Sequence, residues 1–188
     1  MLKKNEIDAA SIISFYENFL TKSLYEVGDL WENNKISVAT EHLATALVER
    51  VLNELYANIL TKEKIGKKVI VGCIENEFHQ VGIKMIGDIF EMNGWSTHFT
   101  GANTPNVDLI NFVKEIQPDI LAVSLSLIDR LPILEKLLTL LSKEFPDLLV
   151  LVGGHAFSLG GQEVLEKHQN VVFQPDLKSV DQFIKNIK

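Results

Sequence analysis

Apolar residues recur with the spacing of an amphipathic helix along the first third of the chain, from residue 7 to about residue 60. Residues three and four positions apart share one face of a helix, so this spacing predicts helices rather than strands. The apolar positions are Ile12, Phe15, Tyr16, Phe19, Leu20, Tyr25 and Val27 in a first stretch, and Leu43, Leu47, Val51, Leu52, Leu55 and Tyr56 in a second. The polar run Asn33-Asn34-Lys35 separates the stretches, which predicts two long helices.

From Lys67 onward the pattern changes to short apolar runs, rich in β-branched residues, that alternate with amphipathic stretches. The runs cover residues 69–74, 97–100, 120–124, 148–152 and 171–173. Strands that alternate with helices form a parallel sheet covered on both faces, because each parallel pair needs a crossover connection. We therefore predict a helical cap at residues 1–65 and a doubly wound α/β domain at residues 66–188.

Composition and charge narrow the classes of partner. The chain has 18 Lys and Arg against 25 Asp and Glu, a net charge of −7, whereas proteins that neutralise nucleic-acid phosphates are usually basic. No apolar run approaches the ~20 residues of a membrane span, and the chain turns acidic at Glu6 before a signal-peptide region forms. We expect a cytoplasmic protein with no direct contact to nucleic acid or membrane. The single cysteine, Cys73, lies in an apolar run and is expected to be a buried core residue.

The ligand site of an open parallel sheet lies outside the carboxyl ends of its strands, near the point where the strand order reverses. The loop after the first strand contains Glu77 and His79 and is followed by a predicted helix over residues 81–92. A histidine can bind a metal through one ring nitrogen while the other donates to a carboxylate, which fixes the tautomer. An exposed histidine beside a glutamate is also common on surfaces, so this pair alone leaves both interpretations open.

Small residues follow the third and fourth strands. They are Ser124 and Ser126 after the third strand and Gly153 and Gly154 after the fourth. Gly82 and Ser124 are separated by 41 residues, and Ser126 and Gly153 by 26. This arrangement resembles the cobalamin-binding domain family, whose motif is Asp-x-His-x-x-Gly, then Ser-x-Leu or Ser-x-Thr, then Gly-Gly. Here Glu77 stands in place of the Asp and Ser126 in place of the Leu or Thr.

The resemblance implies a role for each matched residue. In that family the nucleotide base of cobalamin leaves the cobalt and enters the sheet edge, while the motif histidine takes the lower axial position. His79 is accordingly expected to bind the cobalt, oriented by Glu77, and Gly82 to keep the ligand loop close to the corrin. The residues expected to line the channel of the nucleotide tail are Ser124, Ser126, Gly153 and Gly154. The implied fold is a flavodoxin-like (Rossmann-like) five-stranded parallel sheet preceded by a short helical-bundle cap.

A second match lies in the predicted helical cap. It resembles the cap of light-sensing adenosylcobalamin-dependent repressors of the MerR type, in which a Trp and a Val pack over the upper corrin face with a Glu-His pair beside them. The matching residues are Trp31, Val38, Glu41 and His42. This resemblance implies adenosylcobalamin as the cofactor, with methylcobalamin as the alternative.

The chain departs from those photoreceptors in three respects. Glu32 stands where they carry a His that takes the upper cobalt position after photolysis. No helix-turn-helix pattern precedes the cap, and the cap has two long helices where the family bundle has about four. We therefore expect signalling through a homo-oligomer or a partner protein that pairs with the helical cap.

The sequence is compatible with three functions. The first is a non-enzymatic, adenosylcobalamin-dependent photosensor. The second is a corrinoid carrier that shuttles a methyl group between methyltransferases, for which a bulky Trp cap is less suitable because the methyl group must stay accessible. The third is a flavodoxin-like or receiver domain without cobalamin, although the third strand ends in Ser124 rather than a phosphorylatable Asp.

Overall fold

The computed structural model describes residues 8–61 and 63–187. The chain divides into two compact units, Met1–Leu60 and Thr61–Lys188. The boundary expected from the sequence lies a few residues later, between residues 65 and 66. The start of the chain, on which the expectation of no signal peptide rests, lies outside the described residues. In the part of the chain that is described, no helix is both long and apolar enough to cross a membrane.

The described residues of the first unit form two long helical segments, as the apolar periodicity predicts. The first segment contains α1 (Ala9–Phe15), a π-helical stretch (Tyr16–Thr21) and α2 (Lys22–Glu32), and the second is α3 (Val38–Ile59). Asp8 caps the first segment by accepting a hydrogen bond from the Ser11 N–H, and Ser37 caps α3 in the same way with Thr40. The break falls at residues 33–37, where Asn34 has a φ of 55° that terminates the helix.

The second unit is an α/β domain built on one parallel sheet. The strands are β1 (Lys68–Cys73), β2 (Ser96–Gly101), β3 (Ile120–Ser124), β4 (Leu149–Gly153) and β5 (Val171–Phe173). The helices are α4 (Val81–Met92), α5 (Asn106–Ile116), α6 (Leu131–Glu144), α7 (Gln162–Leu165) and α8 (Leu177–Asn186). The strand order is β2-β1-β3-β4-β5, and all pairs are parallel. The five-stranded parallel sheet predicted from the sequence is confirmed.

Helices cover both faces of this sheet. On one face, the buried side chains of α5 and α6 form a single core with alternate residues of β1, β3 and β4, among them Ile70, Leu121 and Val150. On the other face, α4 packs against β1, β2 and α8. Each fully buried Ile or Leu contributes about 1.5–3 kcal/mol through the hydrophobic effect, so this two-sided burial holds the strands in register.

The strand order places a switch point beside β1. The chain passes from β1 outward to β2 on one side and then crosses to β3 on the other side. The loops that leave the carboxyl ends of β1 and β3 therefore diverge, and the crevice between them is the usual ligand position in this architecture. The predicted motif residues 77–82 and 124–126 follow these two strands.

Candidate functional site

Small side chains meet at the carboxyl ends of the three central strands. The strand register pairs Cys73 of β1 with Ser124 of β3, and Ser124 with Gly153 of β4. Ser124 and Cys73 are both buried, and their Oγ and Sγ atoms lie 3.6 Å apart. The structure thus brings two of the predicted motif residues together, and it adds Cys73 to their row.

His79 lies in the loop between β1 and α4, at the same edge of the sheet. Its side chain is 58% exposed, and its Nδ1 lies 2.5 Å from Oε1 of Glu77, which is fully buried. An ionised carboxylate only accepts hydrogen bonds, so this contact requires the proton on Nδ1. Nε2 is then the ring nitrogen that can bind a metal, as in other carboxylate-oriented histidine ligands.

The carboxylate of Glu77 is held by several N–H donors. It accepts hydrogen bonds from the backbone N–H of His79 at 3.0 Å and of Ser126 at 2.7 Å, besides the His79 ring. Burial by itself raises the pKa of this carboxyl, but the hydrogen bonds from the His79 side chain and from the two backbone amides outweigh it and lower the pKa to about 2. Glu77 is therefore an anion at neutral pH, in contact with the His79 ring.

Cys73 is a buried thiol, as the sequence predicts. Burial raises its pKa, the hydrogen bond with Ser124 opposes this, and the charge of Glu77 adds to the rise, which brings the pKa to about 11. The thiol is therefore neutral at neutral pH. In the row with Ser124 it acts as a small, uncharged side chain rather than as a nucleophile.

The motif glycines differ in the space around them. Gly154 has a φ of +119°, and a Cβ at this position would lie 2.2 Å from the backbone oxygen of Leu125. A Cβ on Gly153 would lie 3.2 Å from the oxygen of Gln174, whereas a Cβ on Gly82 would meet no heavy atom within 4 Å. The fold itself thus requires glycine at 154, but the protein leaves open space at Gly82.

Exposed apolar side chains accompany His79 at this edge. Phe78 is 66% exposed beside it, and Leu127 and Leu159, in the loops after β3 and β4, are also exposed. Apolar surface beside an imidazole fits a large, flat macrocycle with a coordinated metal, because sites for such ligands are lined mostly by apolar side chains around a few polar groups. The donor type fits as well, since imidazole nitrogen binds first-row transition metals such as cobalt.

The four predicted cap residues lie close to the turn that joins the helical segments of the first unit. Trp31, 46% exposed, is the penultimate residue of α2, and Val38 begins α3. Glu41 accepts a hydrogen bond from the Thr45 hydroxyl and lies 3.6 Å from Nε2 of His42. These side chains form a partly exposed group at one end of the helical unit.

An open cleft of about 840 Å³ lies elsewhere, at the amino edge of the sheet. It is lined by residues that precede the strands, among them Lys67, Pro118 and Pro146. None of the predicted site residues lines it. The predicted motif residues of the α/β unit lie instead at the opposite, carboxyl edge.

Two contacts of Glu77 were not predicted from the sequence. Its carboxylate bonds to backbone amides of the loop after β3, and its backbone oxygen accepts a hydrogen bond from the N–H of Asn103, in the loop after β2. Backbone amides have no sequence motif of their own. The only available signal was the turn-forming run Asn103-Thr104-Pro105, which marks a tight loop after β2.

Comparison with known proteins finds B12 binding domains along the chain. Residues 67–177 match the B12 binding domain, and residues 3–56 match a second B12 binding domain model. The HTH-type transcriptional repressor CarA of Myxococcus xanthus is 30% identical over 111 residues, which cover 59% of this chain and 36% of the repressor. CarH, an HTH-type transcriptional repressor of the same organism, is 28% identical over 162 residues, which cover 85% of this chain and 52% of that protein. The chain thus spans about a third and about half of these two repressors.

A second group of relatives consists of corrinoid proteins. Dimethylamine corrinoid protein 1 of Methanosarcina acetivorans is 27% identical over 157 residues, which cover 80% of this chain and 71% of that protein. The structure of the monomethylamine corrinoid protein of Methanosarcina barkeri shares the fold, with a TM-score of 0.77 at 14% identity over 94% of this chain and 84% of that one. Since the first family match alone covers more than half of the chain, the chain belongs to the B12-binding domain family and is a cobalamin-binding module.

Proposed function

We propose that this protein is a non-enzymatic, adenosylcobalamin-dependent photosensor in which His79 is the lower cobalt ligand and Trp31 contacts the upper face of the cofactor. The observation that carries the cobalt-binding part of the proposal is the pair formed by Glu77 and His79. The carboxylate of Glu77 is fully buried and fixes the tautomer of the His79 imidazole. That imidazole lies at the carboxyl edge of the sheet with more than half of its surface exposed. Bound adenosylcobalamin supplies a weak cobalt–carbon bond that visible light can break.

The residues of the α/β unit hold and orient the cofactor in this proposal. The row of Cys73, Ser124 and Gly153 offers small side chains at the place where the nucleotide tail enters the sheet edge. Gly154 and Ser126 flank this row, and the open space at Gly82 admits the corrin next to the start of α4. A serine hydroxyl can both donate and accept a hydrogen bond, which suits the mixed polar groups of a nucleotide tail.

The residues of the helical unit sense the upper ligand. Trp31 and Val38 provide apolar surface for the adenosyl group, and Glu41 and His42 provide polar groups beside it. Loss of that group removes the apolar contact of Trp31, and the change is passed to a second copy or a partner protein through the helical unit. Because Glu32 cannot bind cobalt as a histidine does, the light-exposed state is expected to lack a second histidine ligand.

A corrinoid carrier is the second candidate. It is favoured by the resemblance to dimethylamine corrinoid protein 1, which covers larger shares of both chains than the match with CarA does. In a carrier, His79 and the row of Cys73, Ser124 and Gly153 keep the same roles, and methylcobalamin replaces adenosylcobalamin. Among the residues of this chain, the two candidates therefore differ in what Trp31 and its neighbours contact.

Light provides the experiment that tests the proposal. The purified chain is mixed with adenosylcobalamin in the dark, and absorption spectra and size-exclusion profiles are recorded before and after green illumination. We expect a protein-bound spectrum that changes with light together with a change in assembly. Binding with no lasting change beyond ordinary photolysis of the cofactor favours the carrier, and the absence of binding contradicts both candidates.

Replacing Trp31 with alanine should reduce the preference for adenosylcobalamin over methylcobalamin by about tenfold to hundredfold, because burial of an aromatic side chain contributes on the order of 1.5–3 kcal/mol. Isothermal titration with both cofactors measures the ratio of the two dissociation constants. Tyr25→Ala is the matched control, since Tyr25 is an aromatic residue of the same helix with a similar exposed fraction of 49%. An unchanged ratio in Trp31→Ala, or the same fall in both variants, would remove Trp31 from the site.

A further inference from the structure

The two carboxylate oxygens of Glu77 contact two different loops. Oε1 accepts the hydrogen bonds of His79, within the loop that follows β1. Oε2 accepts hydrogen bonds from the backbone N–H groups of Ser126 at 2.7 Å and Leu127 at 3.3 Å, in the loop that follows β3. A role confined to orienting His79 would need only the first oxygen. The second oxygen instead joins the two loops that diverge at the switch point of the sheet.

Further backbone contacts extend this connection to both neighbouring loops. On one side, the backbone oxygen of Glu77 accepts a 2.7 Å hydrogen bond from Asn103, after β2. On the other side, the N–H of Leu125 donates to Gly153, and the oxygen of Leu125 accepts from Ala156, after β4. The loops after β1, β2, β3 and β4 are thus connected, and the carboxylate of Glu77 joins the loop after β1 to the loop after β3.

We propose that Glu77 is a positioning residue for the loop after β3 as well as for His79, so that the axial ligand and the loop beside the row of Cys73, Ser124 and Gly153 are fixed together before cobalamin binds. The significance for cobalamin rests on the function proposed above, whereas the effect on the loop concerns the cofactor-free protein. The length of the side chain supports the proposal. An aspartate, the usual residue of the family motif, is shorter by one methylene, about 1.5 Å, and cannot reach both His79 and the amides of Ser126 and Leu127 from this backbone position.

Amide hydrogen exchange of the cofactor-free protein, followed by NMR, tests this role directly. In Glu77→Asp and Glu77→Gln, the amides of Ser126 and Leu127 should exchange about tenfold to hundredfold faster, because each variant loses hydrogen bonds to a charged, buried acceptor. Amides in the middle of β3 should keep their protection, which separates local release of the loop from global unfolding.

Two variants serve as matched controls. Glu75→Gln alters a carboxylate of the same loop that accepts a hydrogen bond from Asn106 rather than from the loop after β3. His79→Ala removes the imidazole but keeps the carboxylate. Both should leave the exchange of Ser126 and Leu127 unchanged within about twofold. Faster exchange in His79→Ala, equal to that of Glu77→Asp, would assign the effect to the imidazole and overturn the proposal.

A measurement on the unmodified protein keeps the proposal testable if the Glu77 variants fail to fold. A hydrogen-bond scalar coupling between the ¹⁵N of Ser126 and the carboxyl ¹³C of Glu77 should be detectable without cofactor. Its absence in the folded protein overturns the proposal, as does unchanged exchange in both Glu77 variants.

Titration with cobalamin separates this proposal from the proposed function. If Glu77 fixes the loop after β3 before the cofactor binds, Glu77→Asp should bind cobalamin about tenfold more weakly than the unmodified protein. If Glu77→Asp frees the loop but binds cobalamin with unchanged affinity, fixing the loop before binding has no consequence and the proposal fails. If the unmodified protein does not bind cobalamin at all, the proposed function fails, while the exchange experiment still decides the role of Glu77 in the loop.

Discussion

Replacing His79 with alanine is expected to convert bound cobalamin from a histidine-ligated to a base-off form, with the visible absorption band shifted to shorter wavelength. The imidazole has its Nδ1 bound to the buried Glu77, so Nε2 is the ring nitrogen to which the proposed function assigns the cobalt. Loss of groups that merely support a metal ligand costs about tenfold to hundredfold in affinity. Loss of the ligand itself should cost at least as much, as measured by titration with spectral detection.

His155 is the matched control for this experiment. It is another exposed histidine at the carboxyl edge of the sheet, directly after Gly154, and it begins a short 3₁₀ turn. His155→Ala should keep both the spectrum and the affinity of the unmodified protein. A base-off spectrum in His155→Ala, with an unchanged spectrum in His79→Ala, would transfer the ligand role to His155 and contradict the assignment of the motif.

The elements of the fold were predictable because burial imposes a period on the sequence. A strand buried on both faces reads as a continuous apolar run, and residues 120–124 of β3 are buried without exception. The amphipathic helix predicted over residues 81–92 is α4 with the same limits, since its apolar stripe packs on β1 and β2. In both cases the element forms because apolar side chains are removed from water. The identity of those side chains can be read directly from the sequence.

The contacts that organise the candidate site were less predictable, because they involve the backbone. Ser126 was selected for its hydroxyl, yet the contact that its residue makes with Glu77 uses the N–H that nearly every residue has. Likewise, the presence of Cys73 in the row with Ser124 depends on the register between β1 and β3. Register and loop approach arise from the tertiary fold, so a motif can indicate which residues assemble but not which atoms meet.

Gly154→Ala is expected to destabilise the protein by about 2–5 kcal/mol. The φ of +119° with a ψ of 164° lies in a region that essentially only glycine adopts, at a cost of about 1–3 kcal/mol for other residues. The added Cβ would also lie 2.2 Å from the oxygen of Leu125, so the loop after β3 must shift. That shift weakens the hydrogen bond from Ala156 to Leu125, and each such bond contributes about 0.5–1.5 kcal/mol. Urea denaturation followed by circular dichroism measures the change in the free energy of unfolding.

Gly82→Ala is the contrasting variant, and the pair separates two reasons for a motif glycine. At Gly82 the new methyl group meets no protein atom within 4 Å, and alanine is the better helix former, so stability should be unchanged or raised by up to about 1 kcal/mol. The fold gives no steric reason for glycine at this position. The proposed function does give a reason, which is that the corrin approaches the backbone closely at Gly82. Gly82→Ala should therefore bind cobalamin more weakly without loss of stability. Full affinity in Gly82→Ala would contradict that reason, and a stable Gly154→Ala would contradict the steric account of the Gly-Gly pair.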